Sequence, residues 1–385
     1  LLSISLGLGS LLALVGTPWS PLRALLPVVV ALAIATTGLE SVRSFFRARR
    51  LILHHSAVGI AQYFGELFLV GYALWYGDGL SAGLWAMLAI RAVLFTAGAA
   101  PVIHLLGWHW PGFGRWREFL RFSIPLIPNS ALYRLFDFGD RYLLAHFLGT
   151  AAVGIYFVSY TAASFFATLT APLHLILLPA IAEFWNRGDR EHIADYLRGA
   201  IHYTLIAALP ALVAAILLPT ELLAILTPTS YAEAAHSLSI LALGFFAFSL
   251  GVPADHLLVA AGKTRVLFAV NSAMVVGNVV LNILLIPRFG LVGAAIATLA
   301  GHLIYALTTV ILARRIIPFV LPWRTILLGG VNALLMGFLI WTTKLHLHPL
   351  LALAGGGVIY LLLCLITKLL GAREWRYLRR LLADR

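Results

Sequence analysis

The chain carries very little charge for its length. Of its 385 residues, 11% are Asp, Glu, Lys or Arg and 61% are hydrophobic, and the mean hydropathy is +0.96. An ordinary soluble domain contains about 25% charged residues, because its surface faces water. The composition therefore excludes a soluble domain and indicates a polytopic membrane protein, in which polar side chains inside the bilayer are the functional candidates.

Cysteine is nearly absent, and the sequence contains no recognisable catalytic motif. The one cysteine, Cys364, lies in an apolar segment and has no partner for an internal disulfide. No metal-ligand spacing of His and Cys, no GxSxG elbow and no phosphate-binding loop occurs in the sequence. The longest connection expected on the outer side, 220–235, is too short for the catalytic loops of a membrane glycosyltransferase or polymerase. We therefore expect no enzymatic activity, no catalytic residues, no cofactor and no metal site.

Long apolar runs are what the sequence has in abundance. A helix that crosses a bilayer needs about 20 apolar residues, and about twelve segments reach that length. They are too long and continuous for the alternating strands of a membrane barrel, so helices must satisfy the backbone in lipid. The sequence predicts an all-α polytopic membrane protein. The predicted spans are 1–16, 22–40, 56–76, 82–106, 122–148, 151–183, 199–219, 236–261, 266–286, 291–313, 323–343 and 349–370.

Positive charge falls almost wholly on one side of the membrane that these spans imply. The poorer side receives Arg23, Arg288 and Lys344, while the clusters of Lys and Arg alternate onto the other side. Short positively charged loops stay in the cytoplasm. We therefore expect both termini of the chain in the cytoplasm, in a bacterial or archaeal cytoplasmic membrane. The net charge of +12 is then a signal of topology and does not indicate a nucleic-acid partner.

Two polar interruptions divide the predicted spans into groups of four, six and two. The chain begins at Leu1 inside an apolar run without a Met, so we expect it to lack its true N-terminus. The predicted organisation is a remnant of an N-terminal lobe at 1–106, a cytoplasmic interfacial linker at 107–121, a C-terminal lobe at 122–313, a linker at 314–322, a helix pair at 323–370 and a basic cytoplasmic tail at 371–385.

The fifth predicted span holds the densest set of charges. Arg134, Asp137 and Arg141 are spaced i, i+3 and i+7, so they share one helix face, and Asp140 lies about 100° around the helix from Arg141. Two arginines and one aspartate leave a net positive charge that suits a phosphate or another anion. The alternative is a self-neutralising ladder, in which Asp137 pairs with both arginines and holds helices together.

Other polar residues are expected inside the spans. Glu66 and Arg91 lie at similar distances from the turn that joins their two spans, so we expect a buried ion pair, with a proton-coupling site as the sharper alternative. Asp255 and His256 follow Pro253 near the cytoplasmic end of the eighth span, where hydration is expected and a gate or proton relay is the alternative. Asn271, Asn278 and Asn282 share one face of the ninth span and are expected to form hydrogen bonds between helices.

Three segments resemble a known family. They cover 122–156, 178–189 and 261–298, and the last contains the run LNILLIPRFG followed by GAAIAT. These segments are similar to the O-antigen-type oligosaccharide-lipid flippases of the multidrug/oligosaccharidyl-lipid/polysaccharide exporter superfamily. The similarity extends well over 120–313 and more loosely over 1–106. It implies two six-helix lobes around a central cavity, with the first two helices missing here and an extra helix pair at the C-terminus.

The resemblance implies that the protein flips undecaprenyl-diphosphate-linked oligosaccharide across the membrane by alternating access, for the biosynthesis of cell-surface polysaccharide. Its partners would be the lipid-linked glycan and membrane lipids, and we expect a monomer, with the polysaccharide polymerase machinery as a candidate partner. A cation-coupled multidrug exporter and a lipid II flippase of the same superfamily remain alternatives, and a membrane glycosyltransferase or polymerase is the alternative from another class. The implied substrate cavity contains Arg134, Asp137, Asp140, Arg141, Glu66 and Arg91.

Overall fold

The computed structural model describes residues 25–49, 51–77, 79–107, 117, 126–227, 234–343 and 348–371. Within these ranges the chain is helical and forms no strand. The predicted span 1–16, most of the linker at 107–121 and most of the tail at 371–385 lie outside the described residues.

The helices follow one another with short connections. We number them α1 Leu26–Ala48, α2 Ile52–Gly65, α3 Gly71–Tyr76, α4 Leu80–Leu106, α5 Leu126–Leu148, α6 Thr150–Arg187, α7 Arg190–Leu217, α8 Pro219–Leu226, α9 Ala235–Ala260, α10 Thr264–Ile316, α11 Trp323–Thr343 and α12 Pro349–Ile366. A π-helix at Glu66–Val70 joins α2 to α3, so that these three elements form one continuous stretch.

The described part of the chain contains nine helical stretches that are long and apolar enough to cross a membrane. The 53 residues of α10 would span about 80 Å if straight, far more than the ~30 Å hydrocarbon core. Gly290, with φ 59° and ψ −133°, breaks α10 into two helices, as the predicted spans 266–286 and 291–313 require. Helix α5 is not among the nine stretches, because it carries four charged residues within membrane length. The predicted all-helical membrane fold is confirmed.

The chain divides into two compact units, residues 1–127 and residues 128–385. In the first unit, α1 packs mainly against α4, and the segment α2 to α3 packs against both. Small residues bring these helices close together. A Cβ atom on Gly38 would lie 2.9 Å from the ring of Phe95, and one on Gly65 would lie 2.6 Å from the side chain of Ile90.

In the second unit, α9 is the central helix. It packs against α6, α7 and both halves of α10, and its glycines allow close approach to α10. A Cβ atom on Gly251 would lie 2.8 Å from the Cα atom of Ala306, so a larger residue there would push the two helices apart. The buried core of this unit includes Tyr156, Leu238, Leu241 and Ile286.

Helices α11 and α12 pack against each other and against α7. Polar contacts fix the pair at one end: Asn332 donates from Nδ2 to Oγ1 of Thr367 at 3.0 Å, and Arg324 donates from Nη2 to the carbonyl of Thr367 at 3.0 Å. The opposite faces of the two helices are exposed, with Leu334 and Phe338 about two-thirds accessible. In a bilayer such apolar faces contact lipid.

Candidate functional site

Glu66 and Arg91 form the expected ion pair inside the first unit. Nε of Arg91 lies 2.7 Å from Oε1 of Glu66, and the two side chains are only 16% and 18% exposed. The same carboxylate oxygen accepts a hydrogen bond from Nε2 of Gln62 at 3.1 Å, and Nη1 of Arg91 donates to Oγ1 of Thr36 at 2.7 Å. The pair therefore joins α1, α2, the π-helix and α4 through side-chain hydrogen bonds.

The backbone around Glu66 departs from regular α-helix. Glu66 is the first residue of the π-helix, a wider turn that is rare and is often found at functional sites. Gly65 precedes it at the point where α2 comes close to Ile90 of α4. Because Ile90 is the neighbour of Arg91 along α4, this close approach brings the carboxylate and the guanidinium to the same level.

Further polar groups extend this site toward the predicted cytoplasmic end of α1. Nη1 of Arg43 lies 3.5 Å from Oε1 of Gln62 and 2.8 Å from Oε1 of Glu40. The connected side chains thus contain two arginines and two glutamates, so that their formal charges cancel. Beside them an apolar groove of about 420 Å³ is lined by Phe64, Gly65, Phe68, Leu69, Tyr72 and Ile90.

Asp140 is the most buried charged residue of the second unit. Its side chain is 0% exposed, and Oδ1 accepts a hydrogen bond from the backbone N–H of Arg141 at 2.8 Å. The carboxylate also interacts with the hydroxyl of Tyr156 on α6. Its Oδ2 accepts no hydrogen bond from any group in the described part of the chain. A buried carboxylate oxygen without a partner is costly, which makes Asp140 a candidate ligand for a cation.

A chain of buried polar side chains leads from Tyr156 into α10. The hydroxyls of Tyr156 and Thr298 are 3.3 Å apart, Nδ2 of Asn278 lies 3.4 Å from Oγ1 of Thr298, and Nδ2 of Asn282 donates to Oδ1 of Asn278 at 3.0 Å. Asn278 and Asn282 precede the break at Gly290 and Thr298 follows it, so the chain connects both halves of α10 to α6.

The same cluster offers oxygen ligands to a cation. Oδ1 of Asn282 is buried and has no partner among the described residues, as is also true of Oδ2 of Asp140. Carboxylate, amide and hydroxyl oxygens are the ligands that hard cations prefer. Transition-metal sites are a different case: across the described ranges, no group of three or more His, Cys, Asp or Glu residues could hold a metal ion.

Arg141 projects into an aromatic environment. Its guanidinium carbon lies 4.8 Å from the ring centre of Phe138, 5.0 Å from that of Phe157 and 4.7 Å from that of Tyr160. Tyr160 in turn donates to Oδ1 of Asp137 at 3.3 Å. Aromatic faces hold the flat side of a guanidinium by cation–π attraction and leave its N–H edges available.

The structure does not form the self-neutralising ladder that was the alternative for α5. Between the described side chains of Asp137, Arg134 and Arg141, no N–O distance falls within 4.0 Å. Arg134 is exposed and Arg141 is half-buried. Among the described side chains, the two arginines of this membrane-length helix therefore form no direct ion pair with Asp137, although both interact with it electrostatically.

Comparisons with known proteins find similarity to membrane transporters and flippases. The MatE family model matches residues 125–284. A probable low-salt glycan biosynthesis flippase of Haloferax volcanii is 24% identical over 264 residues, which cover 66% of this chain and 55% of that protein. A second probable flippase of the same organism is 29% identical over 165 residues, covering 42% of this chain and 34% of that protein. The chain thus spans about half of the first relative and a third of the second.

Solved structures have the same fold. The lipid II flippase MurJ in an inward closed conformation superposes with a TM-score of 0.72 at 17% identity, covering 89% of this chain and 73% of that one. A mutant of the Vibrio cholerae MATE transporter VcmN gives a TM-score of 0.60 at 19% identity, covering 82% and 75%. The family match, the two probable flippases and the shared fold are all similarities to the multidrug/oligosaccharidyl-lipid/polysaccharide exporter superfamily.

Within this fold, the residues singled out in the sequence fall into separate groups. Glu66 and Arg91 form a site in the first unit, and the α5 charges form another in the second. Asp255 and His256 lie in α9, where the His256 ring is 6.1 Å from that of His174 on α6. Asn271 donates from Nδ2 to the hydroxyl of Tyr133 at 3.3 Å, which places it apart from Asn278 and Asn282.

Several residues of these sites were not found from the sequence. Thr36, Gln62 and Thr298 are ordinary polar residues of apolar spans, and nothing in their spacing marks them. Tyr156 and Tyr160 did carry a signal: they lie four residues apart on one face of α6, and both contact α5 carboxylates. A search for aromatic hydroxyls at helical spacing opposite the α5 charges would have found them.

Proposed function

We propose that this chain is part of a flippase that moves a lipid-linked oligosaccharide, with undecaprenyl diphosphate as the carrier, from the cytoplasmic to the outer leaflet by alternating access. No covalent chemistry takes place in this proposal. Support comes from the similarity to two proteins described as probable flippases, one of them in glycan biosynthesis. The observation that carries the proposal is the pair of α5 arginines, which form no direct ion pair with Asp137 of their own helix among the described side chains.

Arg141 is the residue that we assign to the diphosphate. Its flat face is covered by three aromatic rings, and its Nε is buried without a hydrogen bond in the described part of the chain. A guanidinium held in this way can donate only through its edge, which matches the spacing of two phosphate oxygens. Arg134, two turns earlier on the same face, would add positive charge along the path of the substrate.

A cation-coupled multidrug exporter of the same superfamily is the second candidate. It is favoured by the buried Asp140 and the oxygen ligands around it. A cation bound there could drive the transport cycle, and this step does not require the transported substrate to be an anion. The same oxygens are compatible with cation coupling in a flippase. The two candidates differ at Arg141, since a cationic drug gains nothing from an unneutralised guanidinium.

Transport by the complete protein in proteoliposomes tests the proposal. A fluorescent lipid-linked oligosaccharide should cross the bilayer, and Arg141→Ala should slow its transport about 10- to 100-fold, the effect of losing one charge-assisted hydrogen bond of 1.5–3 kcal/mol. Arg288→Ala is the matched control, because Arg288 is exposed beside the break in α10. Transport of cationic dyes without transport of the oligosaccharide would support the multidrug exporter over the flippase of oligosaccharides. A preference for lipid II would support the lipid II flippase.

The location and partners belong to the same proposal. We place the protein in the cytoplasmic membrane with both ends of the chain in the cytoplasm, as a monomer that supplies glycan to polymerase machinery. Reporter domains fused after residue 385 should show activity on the cytoplasmic side of the membrane and none on the outer side. A reporter active on the outer side would reverse the topology.

A further inference from the structure

The ion pair of the first unit leaves one hydrogen-bonding edge on each partner. Arg91 donates from Nε to Glu66 and from Nη1 to Thr36, while its Nη2 donates no hydrogen bond to any described residue. Glu66 uses Oε1 for both of its donors, and Oε2 has none within the described ranges. Because 16% of the Arg91 side chain and 18% of the Glu66 side chain remain accessible, the pair is not sealed from a ligand.

Charge balance decides what this site can bind. Arg91 and Glu66 cancel each other, and Arg43 and Glu40 form a second pair 2.8 Å apart, so the connected group is neutral. A phosphate oxygen that approaches the free edge of Arg91 also approaches the Glu66 carboxylate. Like charges repel strongly in a low-dielectric site, so the anion and the carboxylate cannot share Arg91 while both are charged.

We propose that Arg91 is a phosphate-binding site at which the anion exchanges with Glu66, and that each exchange takes up one proton at Glu66. The phosphate accepts hydrogen bonds from the guanidinium, and a proton from the aqueous phase converts the displaced carboxylate to a neutral acid. Oε2 is the oxygen that takes this proton, because Oε1 already accepts from Gln62. The inference rests on the proposed function for its substrate class and concerns a different unit from Arg141.

Among the described residues around Glu66, no other cation is available to hold its charge once the anion has displaced it from Arg91. The charged and titratable residues on the elements packed around it are Glu40, Arg43, Arg47, His54, His55, Tyr63, Tyr72, Tyr76, Arg91 and His104. Of these, Arg43 already pairs with Glu40, and the Nδ1 atom of His55 faces the carbonyl of Arg43. The wider backbone of the π-helix gives Glu66 room to move without breaking a regular helix.

Linkage then makes phosphate affinity depend on pH. If binding takes up one proton, the dissociation constant rises by up to about tenfold for each unit by which the pH is raised. By reciprocity, bound phosphate favours protonation of Glu66 to the same extent. Binding of an anion from one side of the membrane is thus coupled to the binding of a proton at Glu66.

Calorimetry on the purified protein in neutral detergent can count this proton. The probe is dihexyl phosphate, a diester that keeps a single negative charge across the working pH range and exchanges no proton itself. Titration in two buffers of different ionisation enthalpy should show uptake of one proton per bound anion by the unmodified protein. Glu66→Gln should bind with no proton uptake and no pH slope. Glu40→Gln, the matched control in the neighbouring pair, should keep both.

The other variants and competing ligands can each contradict one part of the proposal. Arg91→Gln should abolish binding, and unchanged binding would remove the anion site. Binding by the unmodified protein without proton uptake would remove the exchange even if a variant failed to fold. Dimethyl phosphate, which lacks the long alkyl chains, distinguishes a site for phosphate alone from a site for a lipid headgroup. Equal competition by hexanol would show that the protein recognises only the apolar chain. If the unmodified protein binds the phosphate diester with proton uptake but does not transport the glycan, the proposed function is refuted and this inference is not.

Discussion

The Glu66–Arg91 pair gives a stability prediction that can be worked out from its contacts. Glu66→Ala removes two hydrogen bonds and leaves the guanidinium of Arg91, 84% buried, without a carboxylate. Breaking a buried pair in this way costs about 3–5 kcal/mol, and the remaining exposure places the expected value near 3 kcal/mol. Arg91→Ala should cost slightly less, because Glu66 keeps its hydrogen bond from Gln62.

The double variant should be less harmful than the two single changes together. With both charges gone, only the hydrogen bonds to Thr36 and Gln62 are lost, at about 1 kcal/mol each. We therefore expect the Glu66→Ala, Arg91→Ala protein to lose about 2 kcal/mol, against a sum near 6 kcal/mol for the single variants. The coupling energy would be about 3–4 kcal/mol, at or just above the upper end of measured values.

Unfolding in mixed micelles of neutral and anionic detergent, followed by tryptophan fluorescence, measures these free energies. Trp75 and Trp85 are exposed on α3 and α4 and report on the first unit. The control is the exposed pair Glu183 and Arg187, 57% and 66% accessible, whose removal should cost at most about 0.5 kcal/mol. Additive effects of Glu66→Ala and Arg91→Ala would refute the reasoning, since they would mean that the two charges do not depend on each other.

Three further changes test other parts of the fold. Asp140→Asn should leave stability without added cation unchanged or slightly raised, but should abolish any rise of the melting temperature on titration with sodium; an equal rise in both proteins would exclude Asp140 as a ligand. Gly290→Ala should cost about 1–3 kcal/mol because of the positive φ at the α10 break, whereas Gly330→Ala on α11, where a Cβ meets open space, should not destabilise; similar losses would contradict the strain. Deletion of 323–370 from the complete protein should expose α7 and lower stability; unchanged unfolding and transport would show that α11 and α12 are dispensable.

The helices could be predicted from the sequence because lipid imposes a simple rule. Every span needs about 20 apolar residues, and at Gly290 two predicted spans are so closely joined that they form a single helix with a break. The ion pair of Glu66 and Arg91 was predictable as well, since two opposite charges at one depth have few other partners. The depth came from counting residues away from a turn.

Side-chain networks were much harder to predict. The sequence places Asn278 and Asn282 on one face, but Thr298 and Tyr156 join them only because α6 and the second half of α10 pack there. The alternative pairing of Asp137 with Arg134 and Arg141 also depended on rotamers, and the aromatic rings around Arg141 compete for its guanidinium. The π-helix at Glu66 could not be predicted from the pattern of apolar residues. It is only one turn long, and the residues on both sides of it are helical.

The break in α10 also bears on how the protein enters the membrane during synthesis. Asn278 finds its hydrogen-bonding partner Thr298 only 20 residues further along the chain, in the second arm of the same helical hairpin. A single arm leaving the ribosome-bound channel would present the amide nitrogen of Asn278 to hydrocarbon without Thr298, whereas in the two arms together this bond is already formed. The tight turn at Gly290 therefore favours insertion of both arms as one unit, and lengthening that turn should slow biogenesis before it affects the finished fold.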